Sequence, residues 1–135
     1  MKTLIAAAIR RSLMFTAVAA LFIQPAQAYT VTLQQIGSNV VANGSGAFNL
    51  TGLTFFDHFF SESGIQAQRF GYISTGSQGR VQDVYNWINR GPRSFGSGHF
   101  FYADAVSGDF VGIFLYPPGE IYVPEGYVSG AALSE

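Results

Sequence analysis

Tyr29-Thr30-Val31-Thr32-Leu33-Gln34-Gln35 alternates strictly, with Tyr29, Val31 and Leu33 on one side and Thr30, Thr32 and Gln34 on the other. A period of two marks a half-buried β-strand. Gly37-Ser38 reads as the turn that follows, and residues 39–42 as a second strand. Asn43-Gly44-Ser45-Gly46 reads as another turn and residues 47–50 as a third strand. Short apolar runs separated by glycine turns predict a local antiparallel meander.

The rest of the chain continues in this style. Leu53-Thr54-Phe55-Phe56-Asp57-His58-Phe59-Phe60 is denser in aromatics and reads as a strand buried on both faces, and residues 66–73 alternate again. Residues 80–89 fit two periods. Val81, Val84, Tyr85 and Ile88 share a helical face, whereas Val81, Asp83, Tyr85 and Trp87 alternate as a strand. Strand is favoured, because the neighbours are β-like and nothing caps a helix start. Residues 99–106 and 109–116 flank Ser107-Gly108 and predict a hairpin. Pro117 and Pro118 end its second strand, since neither can donate to a ladder. Residues 120–123 and 126–128 supply short final strands. Eight to ten short strands with frequent glycine turns predict an all-β fold, an antiparallel β-sandwich or a jelly-roll-like domain.

An export signal is expected ahead of that domain. Lys2, Arg10 and Arg11 form a basic leader, and residues 13–23 an uncharged apolar core. Pro25 then breaks any helix, and Ala26-Gln27-Ala28 fits the small-x-small pattern of a signal-peptidase site. Cleavage between Ala28 and Tyr29 is the reading. Eleven residues of helix rise about 16 Å, short of a bilayer core of roughly 30 Å. The alternative is an uncleaved anchor, which draws on the further apolar residues 4–9. Residues 1–28 therefore read as a signal peptide with a signal helix, and residues 29–135 as a single domain without a transmembrane segment.

Loss of the leader removes three of the seven basic residues. Four arginines and no lysine then face eight acidic residues, formally −4. That balance lacks the basic footprint needed for nucleic acid or anionic lipid. The chain has no cysteine, so no disulfide framework is available. A secreted domain this small without staples points to a bacterial envelope or exterior. Its 13 Phe and 7 Tyr supply the core that a disordered chain would lack.

Candidate chemistry is sparse. His58 and His99 stand in aromatic runs without the convergent ligands of a zinc site. Ser97 lies in Gly96-Ser97-Gly98-His99, but Ser94 stands where a nucleophile elbow needs glycine. Asp104 and Asp109 flank the hairpin turn and superficially resemble a glycosidase dyad, yet a turn supplies no cleft, and their spacing matches no calcium loop. Gly44-Ser45-Gly46 lacks the third glycine of a dinucleotide fingerprint. Asn43 and Asn49 open glycosylation sequons, of little weight in a bacterial host. No cofactor is implied. Trp87 beside Tyr85 and Arg90 is the one candidate ligand surface, a platform on which a sugar ring could stack, against the plainer reading of a lone Trp as a core anchor.

Several blocks resemble the PEP-CTERM proteins, the exported bacterial substrates of exosortase. They are residues 29–46, Gly71-Tyr72-Ile73-Ser74-Thr75-Gly76, Asp83-Val84-Tyr85, residues 91–98 and residues 123–134. The resemblance implies a Gram-negative host with an extracellular polysaccharide system, processing at the envelope, and a place at the cell surface or in secreted matrix. It brings no catalytic residues. Members of that family continue into a Pro-Glu-Pro motif, a transmembrane helix and a basic tail. Here Val123-Pro124-Glu125-Gly126 carries glycine where the second proline would stand. The expectation is therefore either a longer protein truncated at this point or a shorter, freely released branch. If further strands are missing, a sheet edge is left unpaired and invites association.

The sequence thus predicts a non-enzymatic exported β-sandwich of the bacterial surface or matrix. Its partners would be signal peptidase, the secretion machinery and extracellular polysaccharide. A secreted carbohydrate-binding module using Tyr85 and Trp87 is the second expectation. A secreted hydrolase comes third, and would need Asp104, Asp109 and His99 to cluster in a cleft.

Overall fold

A computed structural model of the chain describes residues 28–87 and 92–134. The signal helix, Ala26 and residues 88–91 lie outside the described residues. Ten strands follow one another: β1 (Thr30–Ile36), β2 (Asn39–Gly46), β3 (Thr54–Phe60), β4 (Gly64–Gln66) and β5 (Tyr72–Thr75), then β6 (Val81–Asn86), β7 (Phe100–Tyr102), β8 (Val111–Phe114), β9 (Glu120–Pro124) and β10 (Leu133–Ser134). They make two antiparallel sheets in a sandwich-like arrangement, one ordered β1-β2-β10 and the other β3-β6-β9-β8-β5-β4-β7. The all-β expectation holds, and Val81–Asn86 takes the strand alternative.

Several local expectations are overturned. β2 runs through Asn43–Gly46 without turning, because β1 pairs with it from Thr30↔Ser45 to Ile36↔Asn39. Residues 47–50 then form no strand. Residues 66–73 are not one strand but the end of β4, a connection in which Arg69 takes a φ of 65°, and the start of β5. Residues 126–128 form no strand either; β10 lies further on. Thr54–Phe60 is exposed at every residue rather than buried on both faces. It is an edge strand, paired only with β6.

The hairpin around Ser107-Gly108 does not form. β7 pairs with β4, whereas β8 pairs with β5 and β9. The β4–β5 hairpin lies between β7 and β8, so two runs that are neighbours in sequence end up separated by two strands.

Register fixes what each face of the large sheet carries. One row across the sheet is Val84, Tyr122, Gly112, Ser74, Gly64 and Tyr102; the next on the same face is Glu120, Phe114, Tyr72, Gln66 and Phe100. Ile121, Ile113, Ile73, Ile65 and Phe101 alternate onto the opposite face, as do Val123, Val111 and Thr75. Both faces are buried in part. Val84, Tyr72, Phe110 and Tyr122 form a core on the first, packed by Phe100 and Phe114. Val111, Ile121 and Val123 are buried on the second. The small sheet meets the large one on that second side, where the Tyr29 hydroxyl lies 3.3 Å from Thr75 Oγ1.

Candidate functional site

The first face of the large sheet carries a site because its middle row is small. Gly64, Ser74 and Gly112 stand between Tyr102 and Tyr122. A Cβ at Gly64 would lie 2.8 Å from Phe100 Cε1, and one at Gly112 would lie 3.5 Å from Phe110 Cε1. Absent side chains there let aromatic rings lie down against the sheet. The rings form a continuous series. Tyr102 and Phe100 are 4.6 Å apart, Phe100 and Tyr72 are stacked at 5.6 Å, and Tyr72 meets Phe114 edge-on at 6.1 Å. Phe114 stacks on Tyr116 at 6.1 Å, and Tyr72 meets Tyr122 edge-on at 6.2 Å.

An open groove of about 270 Å³ runs among these rings, lined by Ser61, Glu62, Gln66, Tyr72, Phe100, Tyr102, Phe114 and Tyr122. Tyr72 and Tyr122 form its buried floor, while Tyr102 is 64% exposed at the rim. The polar rim is held in place. The Glu62 carbonyl accepts hydrogen bonds from Tyr72 Oη and Ser74 Oγ, each at 3.1 Å. The Ser61 amide donates to Gln82 Oε1 at 2.9 Å, Ser63 Oγ donates to the Gly76 carbonyl at 2.6 Å, and the Ala103 amide donates to the Ser63 carbonyl at 2.9 Å. Gln82 is fully buried to serve this purpose. A rim fixed by its backbone leaves the exposed Glu62 side chain free to face a ligand without ordering the loop that bears it.

No family model, curated protein or solved structure matches this chain. The site is therefore read from its chemistry.

Burial shifts both floor tyrosines, and a hydrogen bond adds to the shift at Tyr122. Desolvation, reinforced by donation to Glu120 Oε2, pushes the Tyr122 hydroxyl well above the ordinary value near 10. Burial also raises Tyr72. The folded state thus keeps both protons at a pH where the unfolded chain loses them, so stability is intact below about pH 10 and falls as pH rises beyond it. The slope for each group reaches at most about 1.4 kcal/mol per pH unit. Melting temperature followed by circular dichroism should decline steeply above pH 10 and less steeply in Tyr122→Phe; equal declines would show that Tyr122 does not couple to folding.

The residues singled out by sequence fall elsewhere. Tyr85 lies on the opposite face, paired with Ile121, and meets Phe55 edge-on at 5.7 Å. Trp87 follows β6, half-buried, with its amide donating to the Gly119 carbonyl at 3.1 Å. Its indole Nε1 is buried without a partner among the described residues. His58 Nδ1 lies 2.8 Å from Asp83 Oδ1, and Asp83 Oδ2 accepts from the Gly126 amide at 2.8 Å, so this pair ties an edge strand to a turn. His99, Asp104 and Asp109 line no part of the groove. Among the described residues no group of three His, Cys, Asp or Glu could hold a metal ion, and no helix is long and apolar enough to cross a membrane.

Sequence reasoning missed the groove, although a signal for it existed. Phe100/Tyr102, Phe114/Tyr116 and Phe70/Tyr72 each place two aromatic residues at i and i+2, the spacing that puts both on one face of an extended chain. Three such pairs predict an aromatic face; only strand order reveals that they converge.

Proposed function

We propose that this protein is an exported, non-catalytic binding domain of the bacterial surface or extracellular matrix. The observation that carries the binding role is the open aromatic groove, which presents rings and hydrogen-bonding groups to solvent. The export reading rests on the basic leader, the apolar core and the Ala26-Gln27-Ala28 site. The two residues on either side of that site differ in burial. Ala28 is exposed, whereas Tyr29 stacks on Phe48 at 5.1 Å and lies across Gly44, where a Cβ would sit 2.0 Å from its hydroxyl. The resemblance to PEP-CTERM proteins favours a matrix setting, with polysaccharide as the available partner.

Expression of the full chain in a Gram-negative host tests this. The protein should be recovered outside the cytoplasm with Tyr29 as its first residue by N-terminal sequencing, and Ala28→Leu should retain the leader. Recovery in the cytoplasm with Met1 intact would remove the export reading.

A further inference from the structure

We infer that the groove floored by Tyr72 and Tyr122 binds a sugar unit that carries no negative charge, within a longer glycan chain. The inference deepens the binding role proposed above and depends on it. Three observations lead there. First, the lining is mixed in the way a pyranose is mixed. A sugar ring has apolar C–H faces and a belt of hydroxyls. Phe100, Phe114 and Tyr102 offer faces and edges of rings, while Ser61, Gln66 and Glu62 offer hydroxyl, amide and carboxylate partners. Second, the groove is open and, at about 270 Å³, lies below the roughly 300–1,000 Å³ of sites that enclose a drug-sized ligand. That volume suits one sugar unit, and the open side leaves room for the rest of a chain. An enclosed apolar ligand would instead be left half in water.

Third, the charge selects the sugar. Glu62 lines the groove, and Glu120 stands beside it, hydrogen-bonded to the Tyr122 hydroxyl. Among the described residues no arginine or lysine lines the groove; Arg69 lies 5.0 Å over Phe70, whose ring meets Phe114 at 6.1 Å and Tyr116 at 4.8 Å. A uronate or a phosphorylated sugar would bring its anion against Glu62, with no cation among the described lining residues to offset it, so like-charge repulsion acts as a filter. A peptide strand is a poorer occupant, because β7 offers an edge only three residues long.

Binding is measured on the full chain, expressed with its leader and purified, by calorimetry and affinity electrophoresis. The probes are soluble neutral glucans and galactomannan, with polygalacturonate as the anionic comparator. The expected result is binding to at least one neutral glycan and none to polygalacturonate. Tyr102→Ala should weaken that binding about tenfold, equivalent to about 1.4 kcal/mol. Tyr102 is mostly exposed, so its loss leaves the fold in place, which the melting temperature checks. Glu62→Gln should admit polygalacturonate, so that the ratio of neutral to anionic affinity falls about tenfold or more. Three outcomes would overturn the inference: no neutral glycan bound, equal affinity for the anionic polymer, or a loss confined to Trp87→Ala with Tyr102→Ala unaffected. Protein that is exported with Tyr29 first yet binds no glycan would overturn the groove assignment alone and leave the export reading standing.

Discussion

Gly76→Ala is expected to lower the melting temperature by roughly 10–40 °C, and in a marginally stable background to unfold the domain. Gly76 follows β5 with a φ of +82°, a region that costs an L-residue about 1–2 kcal/mol. A Cβ there would also sit 1.9 Å from the Asp109 carbonyl oxygen, 2.4 Å from its carbon and 2.8 Å from the Phe110 nitrogen. Those are backbone atoms, which cannot rotate away. The segments are tied at this point, since the Ser77 amide donates to the Gly108 carbonyl at 3.1 Å and the Gly76 carbonyl accepts from Ser63 Oγ. Relief would need the chain leading into β8 to move, dragging the buried Phe110 and Val111. Overpacking of this kind costs about 1–3 kcal/mol, sometimes more. Together the two effects reach about 2–5 kcal/mol, and each kcal/mol shifts the melting point of a domain this size by about 4–8 °C. Gly79→Ala separates the contributions. Its φ is +87° but nothing lies within 4 Å of the added carbon, so only the backbone penalty remains. Equal melting points for the two variants, measured by circular dichroism, would mean that the approach of Asp109 is not a real constraint.

Local pattern carried the strands but not their partners. The strand read at residues 29–35, the Gly37-Ser38 turn and the strand period of residues 81–86 all depend on nearest neighbours and appear in the fold, although the first strand is not half-buried along its length, since Leu33 is 49% exposed. Period two says which side chains share a face; it does not say which strand lies alongside. For that reason β7 and β8 looked like a hairpin, although β4 and β5 separate them. The same blindness hid the groove. Phe100, Tyr72, Phe114 and Tyr122 come from four strands that meet only after the sheet is assembled in the order β9-β8-β5-β4-β7. Trp87 attracted notice because it is the single tryptophan, and rarity carries no information about location. The aromatic density of Thr54–Phe60 suggested burial by composition, whereas the strand sits at the edge of its sheet.

That edge leads to an expected change of association state. Phe55, Phe56, Phe59 and Phe60 are 48%, 53%, 48% and 65% exposed on a strand with one free side, and unpaired strand edges recruit other chains. Two features oppose open-ended pairing. The register slips between Phe55 and Asp57, and a bulge of this kind twists an edge away from a flat partner. Asp57 and the exposed His58 add charge and polarity to the same strand. Fully burying a Phe side chain contributes about 1.5–3 kcal/mol, so four half-exposed rings offer roughly 3–6 kcal/mol per copy. Association itself costs about 4–15 kcal/mol. The balance favours a concentration-dependent dimer over a permanent one. Light scattering should show the mean mass rising from monomer towards dimer as concentration increases. Phe60→Lys should hold the protein monomeric, because a lysine on the edge cannot be buried against a second copy. Phe60 is the most exposed of the four, so folding stability should change by no more than about 0.5 kcal/mol. The strand order puts β3 and β7 at opposite edges of the sheet, which keeps Tyr102 away from this substitution, although Ser61 and Glu62 of the groove directly follow Phe60. A wild-type protein that stays monomeric at the highest accessible concentration would show that the bulge and the polar pair alone suffice to close the edge.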